Sequence, residues 1–542
     1  MNYDFDPLMR KYHSIRYPIY AKGGMVNCSS PQAASAGLEV LRKGGNAMDA
    51  AVAAAAALTV TEPTSNGLGS DAFALIWSEK DHKLFGLNSS GKAPMLASME
   101  NVIKDGFAED GKMPRHGWAP VTVPGAVKAW AAVNERFGKL SLSEDLAPAV
   151  DYASKGYPCS PDHSAAWKRA YSTYSSVLKG PCFDAWFSTF AHKGRAPEPG
   201  EMVYLPDHAD TLEEIGRTKG ESFYTGRIAH LIDEESKKYG GYLRYEDLAS
   251  HEAIWVEPIS VNYRGYDVFE IPPNGQGIVA LMALNIMKEF NFTEKDSAET
   301  CHRQIEAIKM AFADAFRTVT DPGHMTFDYH GFLDPEYGKK RATEMTGSAQ
   351  VWTDQIPPKS GTVYLCSADR EGNMVSFIQS NYMGFGSGIV VKGTGIALQN
   401  RGADFSLDPE NVNCLMPGKR SYHTIIPGFI MKDGEPVGPF GVMGGYMQPQ
   451  GHVQVVSNFI DFHMNPQQAL DAPRWQWMRD GSVIVEESLD DSIVQGLREK
   501  GHEIKVVKDL GAFGRGQMIV RLDNGVLAGG TESRTDSNIA CF

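Results

Sequence analysis

No run of apolar residues in this 542-residue chain is long enough to cross a bilayer. The longest, Ala50 to Val60, is rich in alanine and falls well short of the ~20 residues a spanning helix needs. The opening stretch, MNYDFDPLMRKYHSIRYP, is broken by charge and proline. It has no apolar core and no small-residue cleavage site, so no signal peptide is expected. Cysteine is scarce. Cys28, Cys159, Cys182, Cys301, Cys366, Cys414 and Cys541 are scattered, with no C-x-x-C pair and no zinc spacing. An odd, dispersed set suits a reducing cytoplasm, and each thiol is expected to pack as a small hydrophobe. Positive charge is also short: 52 Lys and Arg against 66 Asp and Glu leave a net charge of −14. That sign argues against a nucleic-acid or anionic-membrane partner. Several catalytic and nucleotide loops are missing as well. There is no Walker loop, no G-x-S-x-G elbow and no H-E-x-x-H, since His251-Glu252 lacks its second histidine. Gly384-Phe385-Gly386-Ser387-Gly388 follows a hairpin and opens no helix, so it reads as a loop.

What is present is ordinary globular material, 42% hydrophobic and 22% charged, without repeats. Length alone suggests three or four domains at about 150 residues each. Residues 31–60 read as two helices. The first covers about 32–43 and stops at Gly44-Gly45; the second starts at the capping residue Asn46 and is apolar on most sides, hence buried. Ala72–Trp77 and Lys83–Asn88 read as paired strands, and 256–272 as strand, turn and strand. Residues 125–250 alternate short helical patterns with polar loops, and a long helix is expected over 296–317. The stretch 347–361, with Pro357-Pro358 and Ser360-Gly361, reads as a loop or linker. Strand signals follow at 362–368, 374–380, 388–391, 395–399, 425–431 and 437–442, then helices near 450–463 and 490–500. The class is α+β.

One hairpin carries chemistry. Thr362–Asp369 and Met374–Ser380 flank the turn Arg370-Glu371-Gly372-Asn373. Symmetry about Glu371 sets Thr362 opposite Ser380, where cross-strand side chains lie about 5 Å apart at Cβ. A threonine hydroxyl needs a base beside it to act as a nucleophile. Cleavage of the chain before Thr362 would free an α-amine, whose pKa of about 7.7–8.0 suits that task. The plain alternative is a β-branched residue in a strand.

The wider pattern resembles the γ-glutamyltransferase family of N-terminal nucleophile hydrolases over roughly residues 25–540. The blocks run in order: Pro31, Gly37, Leu41 and Gly44-Gly45-Asn46-Ala47-Met48-Asp49-Ala50-Ala51-Val52; Glu62-Pro63; Gly67-Leu68-Gly69; Val123-Pro124-Gly125; Pro272-Pro273; Phe312-Ala313-Asp314 with Asp321-Pro322. The decisive block is Thr362-Val363-Tyr364 through Asp369-Arg370-Glu371-Gly372-Asn373-Met374-Val375-Ser376. Asp404-Phe405-Ser406, Gly444-Gly445 and Ala472-Pro473-Arg474 follow. The resemblance implies an αββα sandwich and autocleavage between Gly361 and Thr362. A large piece, 1–361, and a small piece, 362–542, would then share one fold in place of three or four domains. It further implies Thr362 as the nucleophile, Ser380 as the hydroxyl that orients it, and the N–H groups of Gly444 and Gly445 as an oxyanion hole. No metal or organic cofactor is implied. The expected partners are a small-molecule amide and the two pieces of one precursor, assembled as a homodimer or heterotetramer after processing.

Substrate recognition departs from the family. Ser90 stands where the transpeptidases keep an arginine for the substrate α-carboxylate, and a hydroxyl does not replace a guanidinium. Lys92 lies nearby, as a substrate contact or a solvated charge. Asp404 matches the aspartate that holds the α-amine, or is a strand-end cap or salt-bridge partner. Arg401 stands where an uncharged residue is usual, either gripping a carboxylate from another side or solvated. Tyr382 replaces an asparagine, and His423-Thr424 replaces a Ser-Ser pair, with His423 either binding substrate or filling a polar core site. The stretch from Asp404 to Lys419 is short, which leaves the pocket open. These changes resemble the cytoplasmic acylase and oxamate amidohydrolase branch. The expected activity is hydrolysis of a small acidic amide, oxamate-like or acyl-amide. The alternatives are γ-glutamyl hydrolysis or transfer, glutaryl or cephalosporin acylase activity, and an unprocessed binding homologue.

Overall fold

The computed structural model describes residues 16–351 and 361–542. Two seven-stranded antiparallel sheets face each other. The first orders its strands Ile19–Ala21, Leu527–Thr531, Arg515–Arg521, Glu435–Met443, Gly428–Lys432, Tyr266–Glu270 and Ile259–Tyr263. The second runs Asn538–Cys541, Gly24–Cys28, Gly361–Asp369, Met374–Tyr382, Asp71–Ser78, Lys83–Ser89 and Ile254–Val256. Strands from both sides of the Gly361–Thr362 bond contribute to each of these two sheets.

Three apolar layers follow from this arrangement. Phe73, Leu75, Trp77, Tyr364, Ile378, Phe429 and Ile519 fill the space between the sheets. The outer face of the second sheet is covered by Pro31–Arg42, Ala47–Thr61 and Ala126–Phe137. The outer face of the first is covered by Gly277–Met287, Ala298–Thr318 and Met447–Ile460. Helix, sheet, sheet and helix are thus stacked in the αββα order that the resemblance implies. Every residue of Ala47–Thr61 is buried, and a capping box between Asn46 and Asp49 starts it. Small alanine side chains let this helix lie close over the strands that carry Thr362 and Ser380.

The hairpin register is the one its turn chemistry predicts from Val363↔Gln379 to Ala368↔Met374. The ladder then slips, and Gly361 pairs with Tyr382 across a bulge at Thr362. Gly361 is already the first strand residue and not the end of a loop. Most of the expected 347–361 linker lies outside the described residues. Helices are found at Ala298–Thr318, Met447–Ile460 and Asp491–Glu499, close to expectation. The strands expected at 388–391 and 395–399 shrink to the two-residue pairs Val390–Val391 and Ile396–Ala397. Among the described residues no helix is long and apolar enough to cross a membrane.

Candidate active site

The bulge turns Thr362 toward Ser380 at the end of the hairpin. Both are fully buried. Thr362 Oγ1 donates to Ser380 Oγ at 3.1 Å, Ser380 Oγ donates to the Gly361 carbonyl at 2.7 Å, and Tyr382 N–H donates to Ser380 Oγ at 2.8 Å. One hydroxyl therefore fixes the Thr362 side chain and polarises the carbonyl of the peptide bond before it. Tyr382 takes the left-handed conformation, φ 75°, which turns the chain out of the strand at this point.

Beyond the hairpin, Tyr382 Oη donates to Asp404 Oδ1 at 2.8 Å, and Tyr446 Oη donates to the same oxygen at 3.0 Å. Burial pushes the Asp404 carboxyl above its ordinary value, against the opposing pull of Arg401 and the two tyrosine hydroxyls. Arg401 is buried, its guanidinium carbon 4.0 Å from the centre of the Tyr382 ring. Its Nη1 donates to Thr424 Oγ1 at 2.9 Å, while Nε and Nη2 donate to nothing among the described residues. Burial lowers the Arg401 pKa, and Tyr382 and Asp404 oppose that shift. Unsatisfied buried donors of a charged group are costly, which sets this arginine apart from the paired groups around it.

Gly444 and Gly445 adopt φ 141° and 61°, between the strand Glu435–Met443 and the helix Met447–Ile460. Left-handed backbone favours glycine here, and the pair precedes the positive end of that helix. Gln276 Nε2 donates to the carbonyls of both Gly445 and Thr424, at 2.8 and 2.6 Å. Thr362, Ser380, Tyr382, Asp404, Arg401, Thr424, Gly445 and Tyr446 are thus joined in one continuous set of contacts.

The other expected residues fall outside it. His423 Nε2 donates to Asp71 Oδ2 at 3.0 Å, and its Nδ1 accepts the Ile425 N–H at 3.4 Å. Both ring nitrogens are used, and burial, helped by Arg401, takes the His423 pKa down to about 4 despite Asp71. Of the two readings, the polar core site fits. Ser90 is fully buried, and its Oγ donates to Asn88 Oδ1 at 2.7 Å. Its neighbour Gly91 has no room for a side chain, because a Cβ there would lie 1.6 Å from the Val123 carbonyl. Lys92 is exposed.

Sequence reading misses Gln276 and Tyr446, which belong to the connected set, and Asp71, which holds His423 beside it. Asp71 is fully buried and accepts from Gly91 N–H, Gln399 Nε2 and His423. The signal available was position: Asp71 directly follows the Gly67-Leu68-Gly69-Ser70 block, and Tyr446 directly follows the double glycine. Elsewhere, His302, Glu306 and His502 lie close enough to share a metal ion. Lys309 Nζ fills that place, donating to Glu306 at 2.8 Å and lying 3.4 Å from His502 Nδ1, so the cluster neutralises itself.

A cleft of about 380 Å³ opens over Asp404, lined among others by Tyr382, Tyr422, Tyr446, Phe316, Phe405, Lys112 and Arg115. Of the expected residues Tyr382 and Asp404 line it, while Thr362, Ser380, Ser90, Arg401, His423, Thr424, Gly444 and Gly445 do not.

The chain is 55% identical to a cephalosporin acylase from Bacillus halodurans, whose crystal structure superposes with a TM-score of 0.95 over 99% of both chains. It is 37% identical to the glutathione hydrolase-like YwrD proenzyme of Bacillus subtilis (strain 168), over 93% of this chain and 95% of the relative. It is 33% identical to the oxamate amidohydrolase proenzyme of Klebsiella pneumoniae, over 96% and 98%. The family model described as gamma-glutamyltranspeptidase matches residues 33–542, and the chain belongs to that family of hydrolases and acylases.

Proposed function

We propose that this protein is an autoprocessed amidohydrolase that cleaves the amide of an acidic acyl group lacking an α-ammonium. The observation that carries this reading is the paired state of Asp404. Two tyrosine hydroxyls already donate to it, and Arg401 stands beside it as a built-in counter-charge. An ammonium would have to compete with that arginine, whereas a substrate carboxylate would satisfy its two unpartnered donors. Loss of the arginine at position 90 points the same way, since Ser90 is committed to Asn88. The named relatives include an acylase and an oxamate amidohydrolase, which supports an acidic acyl group.

Processing begins with Thr362 Oγ1 attacking the Gly361 carbonyl carbon, which Ser380 polarises. The amide C–N bond breaks, the Thr362 amine takes the proton, and water then hydrolyses the resulting ester. The freed α-amine becomes the base for the second reaction. It accepts the Thr362 hydroxyl proton as the oxygen attacks the substrate carbonyl, and returns a proton to the leaving amine. Gly444 and Gly445 N–H groups stabilise the oxyanion. Water then releases the acid and regenerates the free hydroxyl. A second reading, γ-glutamyl hydrolysis or transfer, is favoured by retention of Asp404 itself.

The test is a pair of anilides that differ by one ammonium, glutaryl-4-nitroanilide and γ-glutamyl-4-nitroanilide. The glutaryl compound is expected to show the higher kcat/KM by about tenfold or more, the size of one charge–charge term in a partly enclosed site. The reverse order, or transfer to a dipeptide acceptor from the γ-glutamyl compound, would establish the second reading.

A further inference from the structure

The cleft over Asp404 has a make-up that the reaction alone does not require. One wall is a packed aromatic array. Tyr422 and Tyr446 stack with centroids 6.0 Å apart and planes 7° from parallel, and Phe316 lies 5.7 Å from Tyr422 and 5.8 Å from Tyr446. Phe405 and Val319 extend this apolar lining. The mouth carries Lys112 and Arg115, both exposed, with Arg479 also lining the cleft. Neither the Lys112 ammonium nor the Arg115 guanidinium has an ion-pair partner among the described residues, although the chain carries 66 acidic residues against 52 basic ones. The one carboxylate on the cleft lining, Asp404, is covered by Tyr382 and Tyr446 and countered by Arg401. The lining therefore offers flat apolar surface inside and uncompensated positive charge outside. Tyr382, which lines the cleft, donates its N–H to Ser380 Oγ and so ties this wall to the hairpin that carries Thr362.

We infer that this cleft is a second substrate subsite, taking an anionic group carried on an aromatic or apolar body remote from the scissile amide, with Lys112 and Arg115 as its specificity-determining residues. This rests on the amidohydrolase reading and narrows its substrate class: the amide would be larger than a bare oxamate or glutaryl compound. The anion could sit on the acyl side or on the leaving amine; the chemistry at the cleft mouth is the same in both cases.

A binding arm tests the subsite without turnover. By titration calorimetry on the purified enzyme at low salt, 2-naphthoate is expected to bind about tenfold tighter than 2-naphthamide, the combined effect of two exposed cations on one carboxylate. That preference should fall below about twofold in the Lys112→Ala/Arg115→Ala double variant and in high salt. Arg115→Glu should reverse it. Equal affinities, or a preference that survives the double substitution, would overturn the inference. Two kinetic arms locate the anion: suberyl- against octanoyl-4-nitroanilide for the acyl side, and glutaryl anilides with and without a ring carboxylate for the leaving side. The anionic member should win in one arm, and the advantage should vanish in the double variant. Loss of the advantage in both arms counts against the subsite even when glutaryl-4-nitroanilide is turned over, whereas failure on that simple anilide counts against the amidohydrolase reading.

Discussion

Ser380→Ala removes one hydroxyl and three hydrogen bonds. In the native arrangement that oxygen holds Thr362 Oγ1 at 3.1 Å, polarises the Gly361 carbonyl at 2.7 Å and accepts the Tyr382 N–H at 2.8 Å. In the proposed processing the first two act directly on chain cleavage: one aims the attacking oxygen, the other activates the carbon it attacks. Each is worth about 1–1.5 kcal/mol in a buried site, so losing both should raise the cleavage barrier by about 2–3 kcal/mol. At about 1.4 kcal/mol per factor of ten, processing should slow by roughly 30- to 150-fold. A denaturing gel reads this directly, as the decay of one precursor band into a large and a small band over time. Ser380→Thr keeps the hydroxyl and should restore most of the rate, which separates the chemistry from a general loss of stability. Cleavage of the alanine variant at the native rate would refute the reasoning, and so would a threonine variant as slow as the alanine one.

Three further outcomes are expected. Arg401→Met should lower kcat/KM for acidic acyl amides by about 10- to 100-fold, mainly through KM, since it removes a charge-assisted contact worth about 1.5–3 kcal/mol; an unchanged KM would exclude Arg401 from binding. Asp71→Ala leaves His423, Gln399 and the Gly91 N–H without their shared acceptor, and should cost about 3–5 kcal/mol of stability, read as a lower Tm by calorimetry. Stability should also fall between pH 7 and pH 5. Burial takes His423 and His208 down to about 4 and His251, His452 and His502 down to about 3, so each stays neutral in the fold while it protonates near 6.5 once unfolded. Their stabilisation is complete above pH 6.5 and declines as pH falls toward 3–4, by about 2 kcal/mol per histidine at pH 5. Six carboxyls raised by burial, Asp49, Asp145, Glu235, Asp247, Glu270 and Asp404, and His163, raised against burial by Glu62, act in the opposite sense and offset part of this loss. A Tm that is flat or rises on acidification to pH 5 would contradict this.

The hairpin was legible in the sequence because its information is local. A strand repeats every two residues, and Gly372-Asn373 marks the turn, so the partner of each residue from Val363 to Ala368 could be counted off. The bulge at Thr362 was not legible, yet it preserves the Thr362–Ser380 contact that simple counting gave. Buried and amphipathic helices announced themselves by composition and caps, as Asn46 and the alanine run show. The short strands Ile19–Ala21 and Asn538–Cys541 did not, because three or four residues carry almost no periodicity and depend on neighbours far along the chain. The same limit applies in the site. Arg401 and Asp404 stood out as a change of charge within one block. The partnership of His423 with Asp71 spans 352 positions, and no local pattern could turn an exchangeable polar residue into a core histidine. Tyr446 was hidden for the same reason, since its hydroxyl matters only because folding carries it to Asp404.

The most direct test of the proposed chemistry is the intact mass of the purified, denatured protein beside that of Thr362→Ala. The native protein is expected to give two chains whose masses place the cut between Gly361 and Thr362, with the small chain beginning at a free threonine amine. The alanine variant should give one uncut chain. A native protein that remains a single chain, a cut at any other bond, or a Thr362→Ala protein that still divides would contradict Thr362 as both the processing and the catalytic nucleophile.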